Sequence, residues 1–313
     1  MKCLYLLPAL CMLCTHCNGQ KIQKAEEAEE TVSDLPPSFR MVTIPSVLVE
    51  PGERADYLVK HYWDNFNFRD TSYIHLPEIT EQAVVDYIDV MPYAEATVVS
   101  VSVKEMLKKA EAEKTVFLYF TDLYEKYLYD PNSPLRNDEF FIPVLEAMLE
   151  SPLVDEKIRP AHLLKLAKRN RQGETATDFT YTTSKGREAT LYALSAEYTI
   201  LFFYNPGCNN CKEVSDQLIS SLSVQYFIKE NKLKILALYP DEDIQAWRAY
   251  LSNVPEEWIN AYDATMRIKD DEVYDLKAIP TIYLLDKEKK VLLKDPTFDA
   301  LESYLHQQIN RRQ

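Results

Sequence analysis

Two cysteines three positions apart, in Cys208-Asn209-Asn210-Cys211, are the residues of this chain best suited to chemistry. They follow a nearly continuous apolar run from Tyr198 to Tyr204, which reads as a strand buried on both faces. They open a helical pattern that runs from about 209 to 230. Three residues apart on a helix, two Cβ atoms lie ~5–6 Å from each other, so modest adjustment closes a disulfide. The unpaired N–H groups and partial positive charge of a helix start favour a thiolate over a thiol. Cys208, in the first turn, is expected to be the more exposed sulfur with the lower pKa. Cys211, one turn deeper, is placed to attack a mixed disulfide from inside. The chemistry of such a pair is thiol-disulfide exchange.

A second feature is Ala278-Ile279-Pro280-Thr281-Ile282. Proline gives no backbone hydrogen bond and sits badly in a central strand, yet here it opens an apolar one. A cis bond at Pro280 would turn the Ile279 backbone outward, free to pair with an extended peptide.

The remaining cysteines lie at the start of the chain. Met1-Lys2, the apolar stretch Cys3 to Leu13 and the small residue Gly19 form an export signal over residues 1–19. The stretch is shorter than the ~20 apolar residues that span a bilayer. Cleavage near Gly19 removes Cys3, Cys11, Cys14 and Cys17 and leaves only Cys208 and Cys211. A lipoprotein variant would instead acylate Cys17, which is the one route to membrane association. An acidic tether with Glu26, Glu27, Glu29 and Glu30 occupies 20–37.

Composition narrows the function. The chain has 313 residues and a formal net charge of −14, which repels nucleic acid and anionic membrane alike. Its five glycines, at 19, 52, 173, 186 and 207, are not spaced to cradle a phosphate, so nucleotide chemistry is excluded. His61, His75, His162 and His306 show no metal-ligand spacing, and neither a metal nor another cofactor is expected. A static disulfide is the rival use of the two thiols, but it would close too small a loop to contribute much entropy.

Around these residues the chain divides in two. Residues 38–172 read as an all-α helical bundle. Its clearest segment starts at Pro51, with Ala55, Leu58, Val59, Tyr62, Trp63 and Phe66 on one helical face. Further helices are expected near 80–91, 97–112, 114–128 and 138–150. Another lies near 155–171, kinked or broken at Pro160 and closed by Gly173. Residues 173–313 read as α/β: a hairpin over 178–192, the strand at 198–204, the helix at 209–230 and a strand at Leu233–Tyr239. A helix near 243–252 and strands at 281–285 and 291–294 complete a mixed sheet with helices on its faces. The turn Lys287-Glu288-Lys289-Lys290 reads as solvated.

The strand Ile200 to Tyr204, the Asn205-Pro206-Gly207-Cys208-Asn209-Asn210-Cys211 segment and Ile279-Pro280-Thr281 resemble the thioredoxin superfamily over 173–313. With the leader and the hairpin, the chain looks most like the exported thiol-disulfide reductases of bacteria. The resemblance implies a nucleophile at Cys208, a resolving thiol at Cys211 and a cis-proline at Pro280. Gly207, in the place of the usual aromatic, joins Ile279 and Pro280 as an expected substrate contact. Protein thiols or disulfides and an envelope electron donor or acceptor are the implied partners, in the periplasm or cell envelope of a Gram-negative bacterium. Thioredoxin's buried acid is replaced by Phe202, and a glutamate usual in the reductases by Val214, with Glu213 beside it. The helical half is similar to domains that precede such modules in exported proteins, and no activity comes with that likeness.

Overall fold

Helices occupy the chain from 51 to 167. In the computed structural model, which describes residues 38–312, they are α1 (Pro51–His61), α2 (Pro77–Val90), α3 (Ala96–Ala110), α4 (Lys114–Tyr124), α5 (Asp138–Glu150) and α6 (Ile158–Ala167). The expected leader, tether and acylated Cys17 lie outside the described residues. Pro51 opens α1, where a missing N–H loses no bond, and Lys60 and His61 in its last turn suit the negative helix end. The helix stops at His61, so Trp63 and Phe66 lie beyond it. Their burial spacing outlasts the hydrogen-bond ladder because the following turn still faces the core. Trp63 and Phe66 both meet Phe120 edge-on, at centroid distances of 5.3 and 5.6 Å.

Two expectations at the end of the helical half need correction. Pro160 does not kink a helix; it is the third residue of α6, where the N–H has no intrahelical partner to lose. Nor does Gly173 close that helix, which ends at Ala167. The Lys294 ammonium caps it instead, donating to the carbonyls of Leu166, Ala167 and Arg169 at 3.1, 2.9 and 2.9 Å. Gly173, at φ 88°, donates to the Val291 carbonyl at 2.8 Å, and Val291 donates to Glu174 at 2.8 Å. The connector therefore lies along an edge strand.

Seven strands form one mixed sheet: β1 (Thr180–Thr183), β2 (Glu188–Thr190), β3 (Tyr198–Phe203), β4 (Leu233–Tyr239), β5 (Ile259–Tyr262), β6 (Thr281–Leu285) and β7 (Val291–Lys294). Their order is β2-β1-β5-β4-β3-β6-β7. Parallel pairing joins β3 to β4 and β4 to β5; β6 runs antiparallel beside β3, with Phe203 opposite Thr281. Every residue of β3 is buried, as its continuous apolar run predicts. The short β5 was not expected from its sequence. It joins the β1–β2 hairpin to the sheet through Thr182 opposite Tyr262.

The helices of this half are α7 (Asn209–Ser220), α8 (Leu222–Lys229), α9 (Ile244–Tyr250), α10 (Arg267–Asp270) and α11 (Phe298–Asn310). The single helix expected over 209–230 is two. Ser221 has extended backbone, and its Oγ accepts from the Val224 N–H at 3.0 Å, capping α8. The C-terminal α11 was not expected; its Leu301 and Leu305 are buried in the apolar cluster that also holds Phe202 and Cys211. The 287–290 turn is not wholly solvated either. Lys289 is buried, with Nζ 3.2 Å from Thr199 Oγ1, and burial lowers its pKa.

From Ser38 on, the chain forms one compact unit. Its helical core and the cores on the two sheet faces are separate apolar clusters. Between helices and sheet lies a set of buried charges instead. Asp138 of α5 pairs with Lys277 and Lys294, each at 2.9 Å, and Arg136 pairs with Asp295 at 3.0 Å. Burial pushes the Asp138 carboxyl up, but Lys277 and Lys294 together outweigh it and hold it below the usual carboxylate range. Burial dominates at Asp275 and Asp295, whose carboxyls are raised.

Candidate active site

β3 leads through Tyr204-Asn205-Pro206-Gly207 into α7, so a rigid central strand delivers the first sulfur. Gly207 has φ 77°, a left-handed conformation that an L side chain strains to adopt, and it lets the chain reverse into the helix. A Cβ there would meet nothing within 4 Å, so the penalty is conformational alone. Gly207→Ala is expected to lower stability by about 1–2 kcal/mol, measured by urea unfolding.

Cys208 is the N-cap of α7 rather than a first-turn residue. Its Sγ accepts from the Cys211 N–H at 3.1 Å, taking the place of a serine or aspartate oxygen. Cys208 is partly exposed and Cys211 is buried; both are free thiols. Burial pushes the Cys211 thiol well above the ordinary cysteine range, and the adjacent Cys208 sulfur adds to the rise. Across the site, the Ile279–Pro280 bond is cis, and Cys208 Sγ donates to the Ile279 carbonyl at 3.6 Å. Gly207, Cys208, Cys211, Ile279 and Pro280, drawn from two distant stretches of sequence, thus meet in one place.

Other residues support the site that no spacing in the sequence singles out. Asn205 Nδ2 donates to Asp241 Oδ2 at 2.8 Å, and Asp241 in turn pairs with Lys269. Burial pushes the Asp241 carboxyl up, but hydrogen bonds from Lys269 and Asn205 outweigh it and hold it down. This chain of bonds ties the segment before Gly207 to the loop after β4. Trp247 Nε1 donates to the Tyr204 hydroxyl at 3.0 Å within the cluster that buries Cys211. Phe202, in the place of thioredoxin's acid, is buried in that cluster, while Glu213 is exposed. Position 202 therefore offers no carboxylate, and the one at 213 is turned to solvent. Among the described residues no group of three or more His, Cys, Asp or Glu side chains is arranged to hold a metal ion. His61 Nδ1 lies 2.7 Å from Asp64 Oδ2.

Comparison with known families extends this picture. The family described as "Domain of unknown function (DUF5106)" matches residues 13–170, and the family described as "Thioredoxin-like" matches residues 196–291. The chain belongs to the thioredoxin-like proteins with an N-terminal DUF5106 domain. A thioredoxin-like protein from Bacteroides caccae is 50% identical; the match covers 87% of this chain and 99% of that one, with a TM-score of 0.82. The C-terminal domain of an uncharacterized protein from Bacteroides fragilis is 47% identical, covering 44% of this chain and 98% of that one, with a TM-score of 0.43. The thioredoxin domain of a thiol-disulfide oxidoreductase from Bacteroides vulgatus is 23% identical, covering 44% and 96%, with a TM-score of 0.39. A search of curated proteins finds no match. Among the described residues of this thioredoxin-like chain, no helix is long and apolar enough to cross a membrane.

Proposed function

We propose that the chain is an exported thiol-disulfide oxidoreductase of the reductase type, acting on disulfides in proteins. The observation that carries this reading is the partly exposed Cys208 sulfur, 3.6 Å from the Ile279 carbonyl and backed by the buried Cys211. A disulfide in an extended peptide would lie along Ile279 and Pro280, near Gly207, with one of its sulfurs against Cys208. The Cys208 thiolate attacks that sulfur, the substrate S–S bond breaks, and the departing sulfur leaves as a thiolate. Cys211 then loses its proton and attacks the Cys208 sulfur. A Cys208–Cys211 disulfide forms and the second substrate thiol is released, so two electrons pass to the substrate. A dithiol donor in the envelope would restore the pair. Export rests on the apolar leader at 1–19, and attachment to a membrane would require acylation of Cys17.

Insulin reduction with dithiothreitol tests the reading. The chain is expected to accelerate it, and a Cys208→Ala/Cys211→Ala double variant to lose the acceleration. Equal rates from both would make the pair a static staple in a binding or scaffold protein.

A further inference from the structure

We infer that the helical half holds the Ile279 backbone opposite Cys208 through the buried Asp138–Lys277 ion pair, so that Asp138 and Lys277 are positioning residues for an incoming peptide. The inference rests on the thiol-exchange reading and gives the DUF5106 part a role within that same site.

Ile279 belongs to the segment 271–280, between α10 and β6, which contains neither helix nor strand. Such segments are ordinarily the mobile parts of a protein. This one is gripped along its length by the helical half and the connector after it. Arg169 Nη1 donates to the carbonyl of Asp271 at 2.7 Å and also to that of Glu272. Asn170 Nδ2 donates to the Val273 carbonyl at 2.8 Å. Lys277 Nζ lies 2.9 Å from Asp138 Oδ1 and 4.9 Å from the centre of the Tyr129 ring.

The last grip is the one nearest Ile279 along the chain. Lys277 and Asp138 are each only 7% exposed, so water does not screen their pairing and its geometry is defined. Asp138 is itself fixed, at the first turn of α5 and by Lys294 at 2.9 Å. Ile279 lies two positions after Lys277, at most ~7 Å of extended chain, so a shift at Lys277 is passed on to the carbonyl facing Cys208. A recognition arm would need no such connection. A support for the peptide-pairing edge does.

The test uses the full chain and two disulfides: insulin, whose backbone can pair with Ile279, and dithiobis(nitrobenzoate), which has no backbone. Asp138→Asn would disturb Lys294 as well, so the variant of choice is Lys277→Met, which keeps the Asp138–Lys294 pair. Lys277→Met is expected to raise the KM for insulin about tenfold, with Lys277→Arg restoring most of it. Its reaction with dithiobis(nitrobenzoate) is expected to stay within about twofold of the parent. An unchanged insulin KM, or equal losses with both disulfides, overturns the inference. Should Lys277→Met fail to fold, Lys277→Gln removes the ammonium while leaving a polar side chain beside Asp138, and it faces the same criteria. A parent chain that reduces neither disulfide would defeat the thiol-exchange reading itself, which separates that failure from this one.

Discussion

Cys211→Ser is expected to accumulate disulfide-linked adducts with thiol proteins, and Cys208→Ser to form none. Trapping followed by non-reducing electrophoresis and mass spectrometry reads both. The asymmetry follows from the cap geometry. Cys208 is the sulfur a partner can reach, whereas Cys211 is 2% exposed and its raised pKa keeps it a thiol at neutral pH. Without Cys211, the first attack succeeds and the mixed disulfide has no internal thiol to release it. Without Cys208, the turnover of insulin should fall ~10³-fold or more, because the nucleophile is gone and its neighbour is buried. The same burial sets a pH dependence. Resolution by Cys211 requires loss of its proton, so the rate of that step should climb about tenfold per pH unit from 7 to 9, read by stopped-flow on a preformed adduct. Adducts on Cys208→Ser but not on Cys211→Ser would reverse the roles.

Asp138→Ala is expected to produce the largest loss of stability among changes outside the apolar cores, about 3–5 kcal/mol at pH 7 by urea unfolding. The carboxylate meets two buried ammonium groups, Lys277 and Lys294, which are 7% and 6% exposed. Removing it leaves both cations between the helical half and the sheet without their shared counter-ion. The folded-state pKa of Asp138 lies below the ordinary carboxylate value, so its stabilisation is fully present above the unfolded value. It is lost as pH falls below about 4 and on through the folded value. The gap between parent and variant should therefore shrink in acid. A gap that stays constant from pH 7 to pH 3 would show that the carboxylate charge does not hold this interface together. Lys294 carries a second duty, capping α6, so Lys294→Met should also loosen the end of that helix.

Much of the site could be read from the chain because its parts are local. A continuous apolar run specifies the buried β3, and the polar turn after it, with Gly207, specifies where a helix begins. A cysteine pair three apart at that point needs no distant information to be recognised. Pro280 at the head of an apolar strand is a local signal too. In two places one apolar pattern covers two local structures. The apolar spacing from Ala55 to Phe66 continues past the end of α1, because facing the core does not require helical bonding. The pattern from 209 to 230 is interrupted at Ser221 because a cap hydrogen bond there competes with the helix.

The sequence by itself therefore determined the chemistry on offer: two thiols at a strand-to-helix junction, with a proline-led strand to meet them. Tertiary structure alone decided that Asp241 secures Asn205, that β5 joins the hairpin to the sheet and that Asp138 meets Lys277 and Lys294. Each of these joins residues far apart in the chain. In a one-dimensional reading, Asp138, Lys277 and Lys294 look like any solvated charges. Only the approach of the helical half to the sheet removes the water around them, and with it the screening that would make such pairs weak.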